Sequence, residues 1–213
     1  MYRKYFMLVC FLLLTLVGCS KKDKPKTPNS APLSSIKLEE GSYKIVNNES
    51  EVTWVGKEFS TKTHEGTLAI TDGKIDITSN GEIHGEIQIN MASIDVTDMQ
   101  GRGAEKLEGH LKSPDFFGVE KHPYAFITFH SDQKEIKNTQ IELTGDLTIK
   151  DISHPISFSA ELFDMKSFIK AKADLTFDRS MYNVRFRSGK FFKDLGDKLI
   201  LDDINVNVMI IAR

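Results

Sequence analysis

The sequence is poor in cysteine: its 213 residues include two, Cys10 and Cys19, both near the start. If residues 1–18 were removed by proteolytic cleavage, Cys19 would be the only cysteine left. A single cysteine excludes a disulfide framework and a cysteine-based metal site. The folded part must therefore be stabilised by its hydrophobic core, and the residues that remain suffice for one domain with such a core.

The sequence also lacks a strong charge of either sign, since its formal net charge is −2. Loss of residues 1–18 would leave 26 basic and 30 acidic side chains, a net charge of −4. Such a mild balance gives no electrostatic footprint for nucleic acid. We therefore predict no nucleic-acid partner.

Catalytic and metal-binding patterns are missing as well. The sequence contains neither the G-x-S-x-G turn of serine hydrolases nor the H-E-x-x-H helix of zinc enzymes. No two of its six histidines are four residues apart. We predict no metal site and no enzymatic activity, and a hydrolase that uses His110 and Asp115 ranks last among the hypotheses.

The apolar run near the start is too short to cross a membrane. It extends from Tyr5 to Val17, after the basic pair Arg3-Lys4, whereas a transmembrane helix needs roughly 20 residues. A basic start, a short apolar run and small residues before a cut are typical of a secretory signal. The sequence Leu16-Val17-Gly18-Cys19 resembles the lipobox of bacterial lipoproteins. We predict a signal peptide over residues 1–18 and an acyl anchor on Cys19 that attaches the protein to a bacterial membrane.

Residues 19–38 are predicted to be the lipidated cysteine and a flexible tether. Residues 20–35 hold three of the six prolines and four lysines against one acid, without apolar periodicity. The predicted location is the bacterial cell envelope, lipid-anchored and facing the periplasm. Ser20 stands where some inner-membrane lipoproteins carry aspartate, which favours the outer membrane.

From Gly41 onward, apolar and polar residues alternate. In a strand, Leu143 and Leu147, for example, would lie on one face, and Thr144 and Asp146 would lie on the other. Strict alternation indicates antiparallel strands with one dry face and one wet face. Strand-like runs, some of them joined into eight or nine strands, lie near residues 43–47, 50–58, 66–71, 73–78, 82–91, 124–131, 139–150, 154–164, 167–178 and 203–212.

Long strands with one apolar face need a second sheet or closure on themselves. We predict an all-β fold, with a closed antiparallel barrel of about eight strands as the first choice and a two-sheet sandwich as the second. Residues 100–112 form the one segment with helical spacing, through Ala104, Leu107 and Leu111, and this short helix must stop before Pro114.

Several motifs occur together in the barrel region. They are GHLKSPDFFGVEKHPYAFITF at 109–129, GDLTIKDISHPISF at 145–158, Tyr43-Lys44-Ile45, Ser50 to Trp54, Ser93-Ile94 and Arg179. In this order they resemble the YceI-like family of bacterial polyisoprenoid-binding proteins, over about residues 41–213. One departure is Lys106 to His110, where family members often carry Arg-Asp shortly before His-Leu.

The resemblance implies a YceI-like domain over residues 39–213, folded as an extended lipocalin-like barrel. Its interior would hold a polyisoprenoid or similar amphiphilic lipid, such as a quinone tail. It implies no catalysis and no cofactor beyond such a bound lipid, and it leaves a homodimer open.

The predicted ligand-binding residues are the apolar, inward-facing positions of the strands. They are Val52, Trp54, Ile87, Ile127, Phe129, Leu143, Leu147, Phe158, Leu162, Leu175 and Phe177. Phe126 and Phe129 have opposite parity, so one of them must point outward or sit at a bulge. An isoprenoid tail needs only apolar area and a dry shape. The alternative is that these side chains fill a solid core, and that the barrel is a ligand-free adaptor for another envelope protein.

Four residues are predicted to form a mouth or lid where the helix meets the following strand: His110, Asp115, Phe116 and Phe117. The structural alternative is that Phe116 and Phe117 staple a turn while His110 caps the helix.

Overall fold

The computed structural model describes residues 38–59, 62–131, 136, 139–163 and 168–213. The predicted signal peptide, the anchor Cys19 and nearly all of the tether lie outside these described residues, and they stay predictions. In the part of the chain that is described, no helix is long and apolar enough to cross a bilayer.

Nine strands and one α-helix make up the described fold. The strands are β1 (Gly41–Lys44), β2 (Glu51–Lys57), β3 (Thr63–Ile77), β4 (Ile83–Val96), β5 (Tyr124–Ser131), β6 (Gln140–Ile149), β7 (Ile152–Phe163), β8 (Ile169–Asp178) and β9 (Asp203–Ala212). The helix α1 spans Arg102–Lys112, between β4 and β5.

The strands β2 to β9 close into an antiparallel barrel. Each strand from β3 to β9 pairs with the next, and β2 completes the circle by pairing with both β3 and β9. The extra strand β1 pairs with the second half of β3. The predicted closed barrel of about eight strands with one short helix is therefore confirmed, and the two-sheet sandwich is wrong.

Two of the strand-like runs, near residues 66–71 and 73–78, are joined in one strand. The strand β3 continues through Thr71-Asp72-Gly73, with register shifts against β4 before Ala69 and after Ile70. The Asp72 carboxylate accepts a hydrogen bond from the Gly73 N–H at 3.0 Å. Polar residues that resemble a turn here occupy a β-bulge, which bends a long strand without ending it.

The parity of β5 is settled in favour of Phe129. Its side chain is buried, while Phe126 is 42% exposed, and β5 pairs with β4 without a register shift from Tyr124 to Ser131. No bulge is needed, because Phe126 lies on the exposed face of β5, although it also borders the cavity.

The connections at one end of the barrel are mostly long. This end, called the mouth end below, carries the β2–β3 loop, α1 with the segment after it, and the connection of residues 179–202 between β8 and β9. Residues 179–202 are called the cap. The β6–β7 connection at the same end is a two-residue turn, Lys150-Asp151, with φ of 52° and 60°, as in a type I′ hairpin.

Candidate functional site

The barrel encloses a cavity of about 700 Å³, within the range usual for ligand pockets. All eleven predicted ligand-binding residues lie on its wall: Val52, Trp54, Ile87, Ile127, Phe129, Leu143, Leu147, Phe158, Leu162, Leu175 and Phe177. Further inward residues of the same strands, such as Leu68, Ile89 and Val208, also line it. The period-two alternation that predicted the eleven ligand-binding residues also places these further residues on the inward face.

The interior is hollow along β8 and β9. Ala171, Ala173 and Leu175 face the cavity, and so does Val206 of the paired strand. These side chains keep intermediate solvent exposure, although a filled core would bury them almost completely. Space therefore remains inside the barrel, contrary to the solid-core alternative.

Two large aromatic rings lie flat against glycines of neighbouring strands, so they do not fill the cavity. A Cβ on Gly85 would lie 2.1 Å from the Phe129 ring, and a Cβ on Gly66 would lie 2.7 Å from the Trp54 indole. A side chain at either glycine would collide with the ring. These glycines allow Phe129 and Trp54 to cover the wall while leaving the centre open.

The charged residues on the cavity wall come from the segments of the mouth end. They are Lys57, Glu58, Lys62, Lys106 and Arg187, contributed by the β2–β3 region, α1 and the cap. His64 lines the same region, and its Nδ1 lies 2.9 Å from the Asp98 carboxylate. An elongated apolar lumen that is charged at one end suits an amphiphile with its polar head at that end.

The Asp98 carboxylate is held by two hydrogen bonds, one with the His64 ring and one from the Glu65 backbone N–H. Burial alone would raise the pKa of Asp98, but its bonds from His64 and from the Glu65 backbone N–H outweigh burial and hold the pKa below its usual range. Asp98 therefore stays ionised beside the histidine at neutral pH. The periodicity of the sequence could not find this pair or most of the charged mouth residues, because they lie at strand ends and in loops where no pattern constrains them. It also could not show that Lys106, a polar residue of α1, borders the cavity.

Three of the four predicted mouth residues line the cavity. His110, Phe116 and Phe117 lie on its wall, whereas Asp115 is exposed and is not part of the wall, because it sits on the turn before Phe116 with its side chain in solvent. Asp115 therefore lies at the mouth end without lining the cavity, and its role in a mouth or lid stays a prediction.

The His110 ring packs between aromatic rings and does not cap the helix. It makes edge-to-face contacts with Phe186, at 4.3 Å between centroids, and with Phe116, at 5.7 Å. The hydrogen bond at the C-terminal end of α1 involves the backbone of His110 and not its ring: the His110 carbonyl oxygen accepts from the Ser113 N–H. Its buried Nε2 has no hydrogen-bond partner among the described residues, and neither has the buried Nε1 of Trp54. Both atoms belong to side chains of the wall, so each is a polar group that a ligand or a water could satisfy.

Arg179 organises the cap. Its side chain has no exposed surface and donates to the carbonyl oxygens of Val184, Ile200 and Leu201 at 3.1 to 3.2 Å. One guanidinium nitrogen lies 3.2 Å from the Asp202 carboxylate. Burial lowers the pKa of Arg179 although Asp202 opposes that change, and the guanidinium keeps its charge at neutral pH. The resemblance pointed to this arginine, and its role here is to hold both ends of the cap.

Two contacts join the cap to the segment after α1. The Arg179 guanidinium lies 5.3 Å from the centre of the Phe116 ring. Lys150 donates to the carbonyls of both Phe116 and Asn183, and burial, followed by repulsion from Arg185, lowers the pKa of Lys150. The start of the cap is therefore fixed across the mouth end, next to His110 and Phe186.

The described residues include no group of three or more histidine, cysteine or acidic side chains that could hold a metal ion. His84 and His130 stack across the outer face of β4 and β5, with ring centroids 6.3 Å apart, so they lie on the opposite side of the wall from the cavity.

Comparisons with known proteins agree with this architecture. Protein YceI of Escherichia coli O157:H7 is 28% identical over 97 residues, which cover 46% of this chain and 48% of that protein. The match thus spans about half the length of the first curated relatives. For Protein YceI of Escherichia coli O6:H1, identity is 25% over 157 residues, or 70% of this chain and 72% of that protein.

Two solved structures share the fold. BcnA from Burkholderia cenocepacia superposes with a TM-score of 0.60 at 18% identity, covering 78% of this chain and 98% of that chain. A polyisoprenoid binding domain from Saccharophagus degradans, implicated in plant cell wall breakdown, gives a TM-score of 0.58 at 12% identity, covering 80% and 97%. The family model of the YceI-like domain matches residues 43–212, most of the chain, and the protein therefore belongs to the YceI-like family.

Proposed function

We propose that the barrel binds a polyisoprenoid or a similar amphiphilic lipid, such as a quinone tail, for transport, storage or sequestration. The observation that carries this proposal is the closed, hollow lumen of about 700 Å³, whose wall is apolar except at the mouth end. Burying an apolar chain there is worth about 25 cal/mol per Å² before ordering costs. The neighbour from Saccharophagus degradans is named for polyisoprenoid binding, which is consistent with such a ligand.

The proposal includes a location. Acylated Cys19 would anchor the protein to a bacterial membrane facing the periplasm, and a flexible tether would let the barrel reach that membrane. Cys19→Ser should release the protein from the membrane fraction while the purified barrel keeps its lipid. Retention of the variant in the membrane fraction would contradict the acyl anchor.

The proposed role is binding and involves no reaction. The competing hypothesis is a ligand-free adaptor whose outer surface binds another envelope protein. Organic extraction of natively purified protein, followed by mass spectrometry, separates the two hypotheses. A stoichiometric isoprenoid or related amphiphile supports the proposal. A barrel that carries no lipid and also refuses added quinones and polyprenols would refute it.

A further inference from the structure

The rim of the mouth end exposes large apolar side chains. Phe59 of the β2–β3 loop is 66% exposed, and in the cap Phe191 is 41%, Phe192 49% and Leu201 37% exposed. Isolated exposed apolar residues are ordinary, but a group next to cavity-lining residues such as Glu58 and Ile200 indicates an interaction surface.

Backbone hydrogen bonds hold these residues in one continuous rim. The Phe59 N–H donates to the Leu199 carbonyl at 2.8 Å, and the Leu201 N–H donates to the Lys57 carbonyl at 2.9 Å. The Ile200 N–H donates to the Arg187 carbonyl, which places the stretch 199–201 between the β2–β3 loop and the turn that carries Phe191 and Phe192.

The same rim is basic. Residues 57–62 and 185–198 contain seven lysines and arginines against three carboxylates, in a chain whose total charge is −2. One of the seven, Lys190, is bonded to Asp178, and the Arg185 guanidinium lies 4.9 Å from the centre of the Phe191 ring. Neither Lys57 nor Lys62 forms an ion pair with a described residue.

Exposed phenylalanine and leucine beside lysine and arginine are the composition of surfaces that lie in a membrane interface. Apolar groups enter the boundary between headgroups and acyl chains, while the basic groups meet anionic headgroups. We infer that the mouth end docks onto an anionic lipid bilayer through Phe59, Phe191, Phe192 and Leu201. This inference deepens the proposed function and rests on it, since docking would open the lumen directly onto the source of the lipid.

The chain offers a matched control at the other end of the barrel. Phe163 ends β7 there, and Lys170 lies 5.3 Å from the centre of its ring. An aromatic residue with a nearby cation therefore exists at both ends, but among the described residues the exposed group of large apolar side chains lies at the mouth end.

Tryptophan fluorescence of the full chain tests the inference, because Trp54 is its only tryptophan and is buried in the wall. Phe192→Trp, Phe59→Trp and the control Phe163→Trp would each be bound to vesicles of equal parts brominated phosphatidylcholine and phosphatidylglycerol. We expect bromine to quench most of the new emission from Phe192→Trp and Phe59→Trp, and little from Phe163→Trp. Equal quenching at both ends, or none at the mouth end, would overturn the inference.

Charge is tested separately. Lys193 and Lys198 are exposed cap residues outside the cavity wall. In the Phe192→Trp background, Lys193→Gln and Lys198→Gln should weaken docking about fivefold for each cation removed, and docking should decrease in high salt. Equal quenching on vesicles of brominated phosphatidylcholine alone would overturn the assignment to an anionic surface. An emission change that depends on protein concentration without vesicles would instead identify a second copy of the chain as the occupant, and would also overturn it.

Extraction of lipid from the same preparations keeps the two proposals apart. Bound isoprenoid without quenching at the rim would refute membrane docking and leave the lipid-binding function standing. Quenching at the rim of a barrel that never takes up lipid would refute the lipid-binding function.

Discussion

The barrel wall and the cap are built on different principles. Strand pairing and apolar side chains hold the wall, and its inward face offers almost no polar group except near the mouth end. The cap has no regular strand; it depends on the buried side chain of Arg179, which bonds three backbone carbonyls. The wall can accept an apolar chain by shape alone, whereas the cap supplies charge, exposed aromatic residues and a fixed opening. Under the proposed lipid binding and membrane docking, recognition of a head group and of a membrane would reside at the cap and its neighbours.

The largest effect is expected from a charge placed on the wall. Phe158 is 9% exposed and packs edge-to-face with Phe129, so Phe158→Glu would put a carboxylate in the lumen, where burial raises its pKa and disfavours the charged form. Lipid uptake should fall to background, and stability should drop by several kcal/mol. The measurements are extraction with mass spectrometry and denaturant unfolding.

Ser157→Glu is the matched control, because Ser157 is the next residue on β7 and faces solvent. It should leave uptake and stability nearly unchanged. Normal lipid content in folded Phe158→Glu would mean that the ligand does not lie against this wall.

Removal of the cap's central side chain should have the next largest effect. Arg179→Met would leave three carbonyls and the Asp202 carboxylate without their buried donor, at a cost of about 3–5 kcal/mol. Urea unfolding measures this loss. Arg213→Met removes an arginine that pairs with Glu49 on the surface, so it should change stability little. An equal loss in both variants would contradict the central role of Arg179.

A smaller effect is expected where the wall makes room for its own aromatic rings. Gly85→Ala would place a Cβ 2.1 Å from the Phe129 ring and force that ring toward the lumen. We expect a loss of about 1–3 kcal/mol from overpacking and a smaller amount of extracted lipid per barrel.

Gly109→Ala provides the control for Gly85→Ala, since a Cβ there meets nothing within 4 Å. In the helix α1 this change should stabilise the protein by about 1 kcal/mol. Full lipid content in Gly85→Ala would show that the ring does not limit the cavity.

The smallest effect depends on pH. Burial alone would raise the pKa of Asp178, but bonds from Lys190 and Ser180 outweigh burial and lower it. A lowered pKa stabilises the folded state above the ordinary value of about 4 and loses that contribution as pH falls through the lowered pKa. Asp178 also accepts from the Ser180 N–H at the start of the cap, so Asp178→Ala should cost about 1 kcal/mol at neutral pH.

The difference between wild type and Asp178→Ala should shrink as the pH falls below about 4. Thermal unfolding at a series of pH values measures it, and the exposed carboxylate of Asp95 on β4, which forms no ion pair with a described residue, provides a control in Asp95→Ala. A difference that stays constant from neutral to acidic pH would show that the charge of Asp178 contributes nothing to the cap.

The difference between the barrel wall and the loops of the mouth end also explains what could be predicted from the sequence. Period-two alternation located the strands and the wall residues, because a closed barrel obliges every second side chain to face inward. It could not show that Trp54 and Phe129 lie over Gly66 and Gly85, because such contacts depend on the register between strands. The sequence also did not show the basic, aromatic rim. Phe59 and Phe192 lie in loops, where neighbours are set by the fold and not by spacing along the chain.

Trp54 offers the most direct test that the ligand lies inside the lumen. It is the only tryptophan of the chain, and it lies on the cavity wall. Its buried Nε1 has no hydrogen-bond partner among the described residues. Titration of delipidated protein with a polyprenyl quinone should quench its fluorescence saturably and stoichiometrically, and Phe158→Glu should abolish the quenching while Ser157→Glu preserves it. Fluorescence that is unchanged by the quinone, or that decreases linearly without saturation in all three proteins, would contradict a ligand-binding lumen.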